Sequence, residues 1–216
     1  MRLSLPVERL AEYVDRQLMH FFPDGIENTL PYLPRTHERI EYCFSRVRNK
    51  YFHDGGQPVF SHLHSDQYAM FLYFFSNTVW RSDGNAGLAS KIYSLNKALH
   101  AADIFYEVEL PSIFLLSHPV GTVLGRGRYS DYFVAYQNCT IGSNLAGEYP
   151  VLEEGVVVYG GSMVVGRCHL HPNSWIAAGT LLIDGDFPGD QVIFGRHPLV
   201  ASKPTQRSVR EQFFLS

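Results

Sequence analysis

The sequence predicts a two-part α+β protein: a helical N-terminal domain followed by a parallel β-helix built from hexapeptide repeats. Two observations carry this reading. Apolar residues recur at helical spacing up to about Leu110, and after Pro111 a six-residue period replaces it. Composition agrees. Of 216 residues, 18% are charged, 14% are aromatic and 18 are glycine, a balance that excludes disorder, a coiled coil and a collagen-like fibre.

In the helical half, Val7, Leu10, Ala11, Val14 and Leu18 fall at i, i+3, i+4, i+7 and i+11, behind Ser4 as a candidate N-cap. Ile40, Cys43, Phe44, Val47 and Tyr51 repeat the pattern behind Thr36. Ser65 is placed to cap a third helix through Met70, Phe71, Phe74 and Phe75, and its aromatic stripe Tyr68–Phe75 reads as core packing or a subunit contact. The turn Ser82-Asp83-Gly84-Asn85 precedes a fourth helix carrying Leu88, Ile92, Leu95 and Leu99.

In the second half, Leu152, Val158, Val164, Leu170, Ile176 and Leu182 lie six apart without a slip. Four residues after the first five come Val156, Ser162, Cys168, Ser174 and Thr180, all small. One aliphatic and one small residue per hexad describe one flat face of a triangular coil: the aliphatic side chain points inward and the small one lets the chain turn. Three hexads complete a turn, so coils stack at the ~4.8 Å strand spacing. A β-sandwich would alternate with period two instead. Between Ser117 and Ser143 the pattern is looser. His118, Leu124 and Ser130 share one phase while Ala135 and Ile141 fit one residue earlier, which implies a one-residue deletion near 126–136. Residues 143–150 carry no repeat and read as a loop thrown out from the coil.

Several function classes fall away. A net charge of −3 gives no basic footprint, so nucleic acid is not an expected partner. The greasiest stretch, Tyr68–Trp80, is too short for the ~20 residues of a membrane span. Met1–Leu10 has no signal-like apolar region. Cys43, Cys139 and Cys168 are odd in number and widely spaced, which argues for a reducing compartment. A soluble, cytoplasmic protein is expected. Neither a phosphate-binding GxxxxGK[ST] nor a GxGxxG motif occurs, and Gly125-Arg-Gly127 lacks the third glycine. Cys139 reads as a coil filler rather than a nucleophile. His169-Leu170-His171 has the look of a metal pair, but no carboxylate lies nearby in sequence to support it. With Leu170 inward, both histidines read as a solvated strand face, and no metal is expected.

The order of elements and several motifs resemble the serine acetyltransferases, within the left-handed β-helix acyltransferases, from about residue 60 to Pro204. His118-Pro-Val-Gly-Thr-Val-Leu-Gly125 is similar to that family's Asp-His-Ala-Thr-Gly-Ile-Val-Val-Gly segment, and Gln137-Asn-Cys-Thr-Ile-Gly142 to its Gln-Ser-Val-Thr-Leu-Gly. Gly195-Arg-His-Pro198 and Ser202-Lys-Pro204 resemble its Gly-Val-Pro and Gly-Lys-Pro. The handedness of the coil rests on this resemblance alone, since general connection rules favour right-handed crossovers.

The resemblance implies acetyl transfer from acetyl-CoA to a hydroxyl, which needs a base of near-neutral pKa because a protonated alcohol attacks a thioester poorly. His118 matches the family's catalytic histidine. Glu109, in Val108-Glu-Leu-Pro111, is the nearest match to the carboxylate that orients it, although seven residues of intervening coil are missing and Ser117 replaces the acid before the histidine. Gly142, Ser143, Gly160, Ala178 and Gly179 correspond to corners along which pantetheine lies, and Arg196 and Lys203 are candidates for its phosphates. Asp54 lies roughly where the family has an acceptor-binding Asp. The family's Arg-His pair, which holds the acceptor's carboxylate, reads Glu148-Tyr149 here. That exchange removes a bidentate partner and disfavours free serine relative to a sugar or another amino-acid-like hydroxyl.

The expected layout is a helical domain over 1–110 for assembly and the acceptor wall, a left-handed β-helix acyltransferase domain over 111–204, and a tail over 205–216. The expected protein is an acetyl-CoA-dependent O-acetyltransferase assembled as a homotrimer or dimer of trimers. The alternative is a hexapeptide-repeat scaffold or sensor without catalysis.

Overall fold

The computed structural model describes residues 1–25 and 27–215. A small sheet near the N-terminus contains β1 (Arg2–Leu3), β2 (His53–Asp54) and β3 (Gln57–Phe60), in the order β1-β3-β2. Around it lie α1 (Val7–Phe21), α2 (Leu33–Phe44), α3 (Ser65–Asp83) and α4 (Ala86–His100). All four helices coincide with the apolar periodicities, but their ends differ from expectation. Ser4 bonds His62 instead of capping α1, whose N-cap is Pro6. Thr36 lies inside α2, because a 3-10 turn at Leu30–Tyr32 and Pro34 start the helix earlier. That helix stops at Phe44, so Val47 and Tyr51 lie beyond it. His64 caps α3 in place of Ser65, its Nδ1 accepting from the Gln67 amide at 3.5 Å. The aromatic stripe of α3 is core: Met70, Phe71, Phe74 and Phe75 are all buried.

From Phe114 the chain winds into three-sided coils. One side contains β4 (Phe114–Leu116), β7 (Phe133–Ala135), β10 (Val157–Val158), β13 (Ser174–Ile176) and the first part of β16 (Gln191–Arg196). The second contains β5 (Val123–Leu124), β8 (Thr140–Gly142), β11 (Met163–Val165) and β14 (Leu181–Ile183). The third contains β6 (Arg128–Tyr129), β9 (Val151–Leu152), β12 (His169–Leu170) and β15 (Asp186–Phe187). Every coil-to-coil pairing is parallel, and β17 (Leu199–Pro204) folds back antiparallel on β16.

Inward side chains form three stacked columns. Leu116, Ala135, Val158, Ile176 and Ile193 align on one side, and Leu124, Ile141, Val164 and Leu182 on the next. Tyr129, Leu152, Leu170 and Phe187 align on the third. The six aliphatic residues of the regular hexads are completely buried. Tyr129 takes the inward seat that the sequence phase assigned to Ser130, because the one-residue deletion falls between β5 and β6. There Arg128 follows Val123 by five residues, whereas His169 follows Met163 by six. Corners are turned by residues with left-handed backbone, stacked like the strands: Gly121, Asn138, Gly161 and Gly179 have φ of 72°, 55°, 75° and 73°.

The tail returns to the helical half. Helix α5 (Val209–Phe213) lays Phe213 against Trp175 and Tyr136, which with Tyr159 form an aromatic ladder on the outside of the first side. The Arg48 amide donates to the Phe213 carbonyl at 2.7 Å, the Leu215 amide to Arg46, and Val47 bridges Phe214. One continuous apolar core runs from Leu10 to Phe214.

Two measurements check these placements. Leu170→Ala should cost about 2–5 kcal/mol by denaturant unfolding, whereas Met163→Ala, on an outward position 42% exposed, should cost well under 1 kcal/mol, within the usual ~0.5 kcal/mol of surface changes. A reversed ranking would overturn the column assignment. All three cysteines are buried and unpaired, and burial pushes each thiol up, Cys43 to about 12. A thiol-exchange dye at mildly alkaline pH should therefore modify none in the native protein and all after denaturation. A fast-reacting native thiol would contradict this burial.

Candidate functional site

His118 follows β4 at a corner longer than its neighbours. Val123 follows Leu115 by eight residues, whereas Thr140 follows Val134, the next coil's equivalent, by six. The two extra residues bulge outward, which is why His118 occupies no inward seat. Its φ is +50°, a left-handed conformation that costs a non-glycine residue about 1–3 kcal/mol. The bulge is braced by the Val120 amide donating to the His118 carbonyl at 2.7 Å and the Thr122 amide to Pro119 at 3.1 Å. Residues 101–103 pair alongside, through Gly121 to Ala101 and Leu124 to Asp103. The imidazole is thereby held outward, 78% exposed.

Asp66 stands opposite. It lies in the first turn of α3, where a carboxylate complements the helix dipole, and its side chain is 12% exposed. Its Oδ2 is 3.9 Å from His118 Nδ1, an ion-pair separation rather than a formed hydrogen bond. Among the described residues it supplies the carboxylate within 4 Å of His118. The same carboxylate faces His100, whose pKa burial lowers while Asp66 and the bond to Asn96 partly restore it. Asn49, Tyr51, Leu63, His64, Ser65, Asp66, Ser117 and His118 line a cavity of about 330 Å³, at the lower end of the range for small-molecule sites.

Glu109, the sequence candidate for orienting the histidine, sits elsewhere. Its carboxylate takes Arg81 Nη1 at 3.2 Å, with both side chains about half exposed. The reason is local. The Leu110 amide donates to the Tyr73 hydroxyl at 2.9 Å, which pins this segment against α3, where Glu109 reaches Arg81. The sequence did not single out Asp66 as a neighbour of His118, because an acid in a helix's first turn reads as ordinary capping electrostatics. Its sequence signal was the His64-Ser65-Asp66 start of α3.

Asp54, Glu148 and Tyr149 do not line this cavity. Asp54 pairs with Arg2 at 2.5 Å. Glu148 closes its own loop, with its Oε2 accepting from Asn144 Nδ2 at 2.8 Å, and Tyr149 is exposed beside it. The corner residues fall into two groups at opposite ends of the β5-β8-β11-β14 side. Gly142 and exposed Ser143 lie at one end. At the other, the Gly179 amide donates to the Gly160 carbonyl at 3.1 Å and Arg196 Nη1 to the Gly179 carbonyl at 3.2 Å, beside exposed Ala178. A Cβ on Gly142 or Gly179 would meet nothing, so both leave room for a ligand. At Gly160 that room is filled by the Gln137 side chain, 2.8 Å from a Cβ. Lys203 pairs with Val192, four register positions from Arg196 along the hairpin, so the two do not form one phosphate cluster.

The pair His169 and His171 points outward as expected, but the ground for dismissing it fails. Coil stacking brings Glu153 from the preceding coil and Asp186 from the following one into contact with both rings. Both acids lie more than a dozen residues away in sequence, so the spacing hid them. Cys139 is the filler expected, its thiol donating to the Val158 and Tyr159 carbonyls.

No protein-family model matches the chain, and no curated protein matches its sequence. Solved structures do. A serine acetyltransferase from Vibrio cholerae superposes with a TM-score of 0.64 at 17% identity, covering 82% of this chain and 69% of that one. The Brucella abortus serine acetyltransferase in complex with coenzyme A gives 0.64 at 15% identity, over 94% and 80%. The soybean enzyme complexed with serine gives 0.60 at 16% identity, over 86% and 74%. No helix among the described residues is long and apolar enough to cross a membrane. The chain has the fold of the serine acetyltransferases: a helical N-terminal part joined to a left-handed β-helix of hexapeptide coils.

Proposed function

We propose that this protein is an acetyl-CoA-dependent O-acetyltransferase that acts on a small hydroxylated acceptor. The observation that carries the reading is the His118 bulge. A strained corner holds an exposed imidazole over a small cavity, with a largely buried carboxylate 3.9 Å away. In this reading the acceptor hydroxyl attacks the thioester carbonyl while His118 takes its proton. Asp66, in the role the sequence gave to Glu109, fixes the ring and stabilises the imidazolium. Backbone N–H groups hold the oxyanion. The tetrahedral intermediate then expels the CoA sulfur, His118 returns the proton to it, and no acyl-enzyme forms.

Acetyl-CoA as donor is supported by the shared fold, by the coenzyme A complex of the Brucella abortus protein, and by the open corners at Gly142 and Gly179. Arg196, bonded to the Gly179 carbonyl, is the cation at that corner. We assign Ser143, Gly160 and Ala178 to the groove walls, and Lys203 a separate, weaker part. The exposure of His118 supports assembly as a homotrimer or dimer of trimers, since an adjoining prism would exclude water from the reaction. The unpaired, odd number of cysteines supports a reducing, cytoplasmic setting.

The acceptor is read from Glu148 and Tyr149, which lie outside the His118 cavity of their own chain and in this reading meet a neighbouring subunit's cavity across the trimer. A carboxylate where the resembling enzymes carry Arg-His repels a carboxylate-bearing acceptor and suits a sugar hydroxyl or an amine. The same exchange favours the scaffold alternative if no acceptor supports turnover.

Two tests follow. His118→Asn should lower CoA-thiol release by ~10²–10⁴ with acetyl-CoA binding by calorimetry unchanged. Asp66→Asn should lower kcat with little change in KM, and Glu109→Gln should leave both near wild type. Normal turnover in folded His118→Asn would remove the mechanism, and the reverse ranking of Asp66 and Glu109 would restore the sequence assignment. On a panel of amino acids, amino sugars and nucleotide sugars, L-serine should be a poor acceptor. Glu148→Arg with Tyr149→His should improve it. Robust wild-type turnover of L-serine would refute the acceptor reading, and absence of both turnover and acetyl-CoA binding would establish the scaffold.

A further inference from the structure

The outer face of the third side carries an arrangement that the proposed acetyl transfer does not use. Strand alternation puts His169 and His171 on the same surface, with Leu170 fully buried between them. Register places Glu153 one coil before His171 and Asp186 one coil after His169. The two rings lie with centroids 4.1 Å apart and planes inclined by 31°. They are oppositely oriented. His169 Nε2 and His171 Nδ1 face Glu153 Oε1 at 2.6 and 3.8 Å, whereas His169 Nδ1 and His171 Nε2 face Asp186 Oδ1 at 3.5 and 2.8 Å.

The four ring nitrogens form a converging donor set. Two neutral imidazoles carry one N–H each, yet four ring nitrogens face carboxylate oxygens. With both N–H groups on Asp186, the lone pairs of His169 Nε2 and His171 Nδ1 converge on Glu153 Oε1, a spot that takes either a proton or a metal cation. Geometry favours a metal cation there, because three donor atoms from two coils meet at one point. The donor atoms of Glu153, His169 and His171 lie within 4.8 Å of one another. A tetrahedral ion with bonds of ~2.0–2.2 Å needs donors about 3.3–3.6 Å apart; the 2.6 and 3.8 Å separations from Glu153 need sub-ångström adjustments, and the two histidine donors, within 4.8 Å of each other, close by about 1.2 Å at most.

We infer that Glu153, His169 and His171 bind one divalent transition-metal ion, with Asp186 accepting from both histidines to fix their orientation. Two imidazoles and one carboxylate select zinc-like ions over calcium or magnesium, which prefer all-oxygen shells. Asp186 completes a carboxylate–histidine–metal relay. The three ligands are each about one-third exposed, which leaves a fourth position for water. Because the four side chains come from three successive coils, the ion is a staple across the stack. It shares no residue with the His118 cavity.

The test uses the full, untagged chain, stripped with a chelator and dialysed. Titration with Zn²⁺ should give one tight site per chain with a rise in Tm, and Co²⁺ should develop the visible absorption of a low-symmetry, nitrogen-containing site. His169→Gln with His171→Gln should abolish the tight site, the cobalt spectrum and the Tm gain, while His118→Asn keeps all three. Asp186→Asn should weaken Zn²⁺ binding by about 10–100-fold, the usual cost of removing such a partner. Should the double variant fail to fold without metal, Glu153→Gln, which preserves shape, should still reduce affinity and alter the cobalt spectrum. No tight Zn²⁺ site in the wild-type chain would overturn the inference. So would binding unchanged in Glu153→Gln and in whichever histidine variant folds.

Discussion

Everything in the second half of this protein depends on register between stacked coils. One parallel strand lies over the next with its inward residue above its neighbour's, so a single alignment decides which side chains are core and which meet solvent. The corners hold that alignment. Gly121, Asn138, Gly161 and Gly179 turn in left-handed conformation at the same place in successive coils, each amide bonded to the carbonyl below. Where corner length changes, the proposed site residues gather. The two-residue excess before Val123 makes the His118 bulge, and the expansion at 143–150 makes the loop carrying Glu148 and Tyr149.

The regular hexads were legible because each one repeats the same physical problem. Leu152 through Leu182 all face a prism interior that accepts an aliphatic side chain, and nothing local competes with that demand. The first coil was legible only in part. Its deletion and its bulge nearly cancel along the chain, so a fixed phase carried past both put Ser130 where Tyr129 belongs. Helices were readable from their apolar faces, but not their ends. The capping at His64 and the early start at Pro34 depend on what lies next in space.

The candidate site divides the same way. His118 was visible because its flanking glycines and spacing are local. Asp66 was not, since it reaches the histidine from a helix fifty-odd residues earlier, through the packing of α3 on β4. Glu109, the sequence choice, is held by Arg81 instead of facing His118. The Glu153, His169, His171 and Asp186 cluster gives the reverse case. Its period of one coil is implicit in the hexads, and the acids become neighbours once residues about eighteen apart are read as adjacent.

The return of the tail changes how the molecule comes apart. A stack of repeats whose members touch only their neighbours behaves as a one-dimensional array and frays from its free end. Here the last coil is followed by α5, whose Phe213 packs on the aromatic rungs Tyr136 and Trp175 of two earlier coils, and the chain around its end is fastened to residues 46–48. The array is closed into a loop: its far end is tied to the helices at its beginning. The terminal coil cannot peel away without first breaking contacts that belong to the helical half. That long-range closure makes assembly slower, because distant parts of the chain must meet. It also makes unfolding concerted, with the prism and the helices lost together.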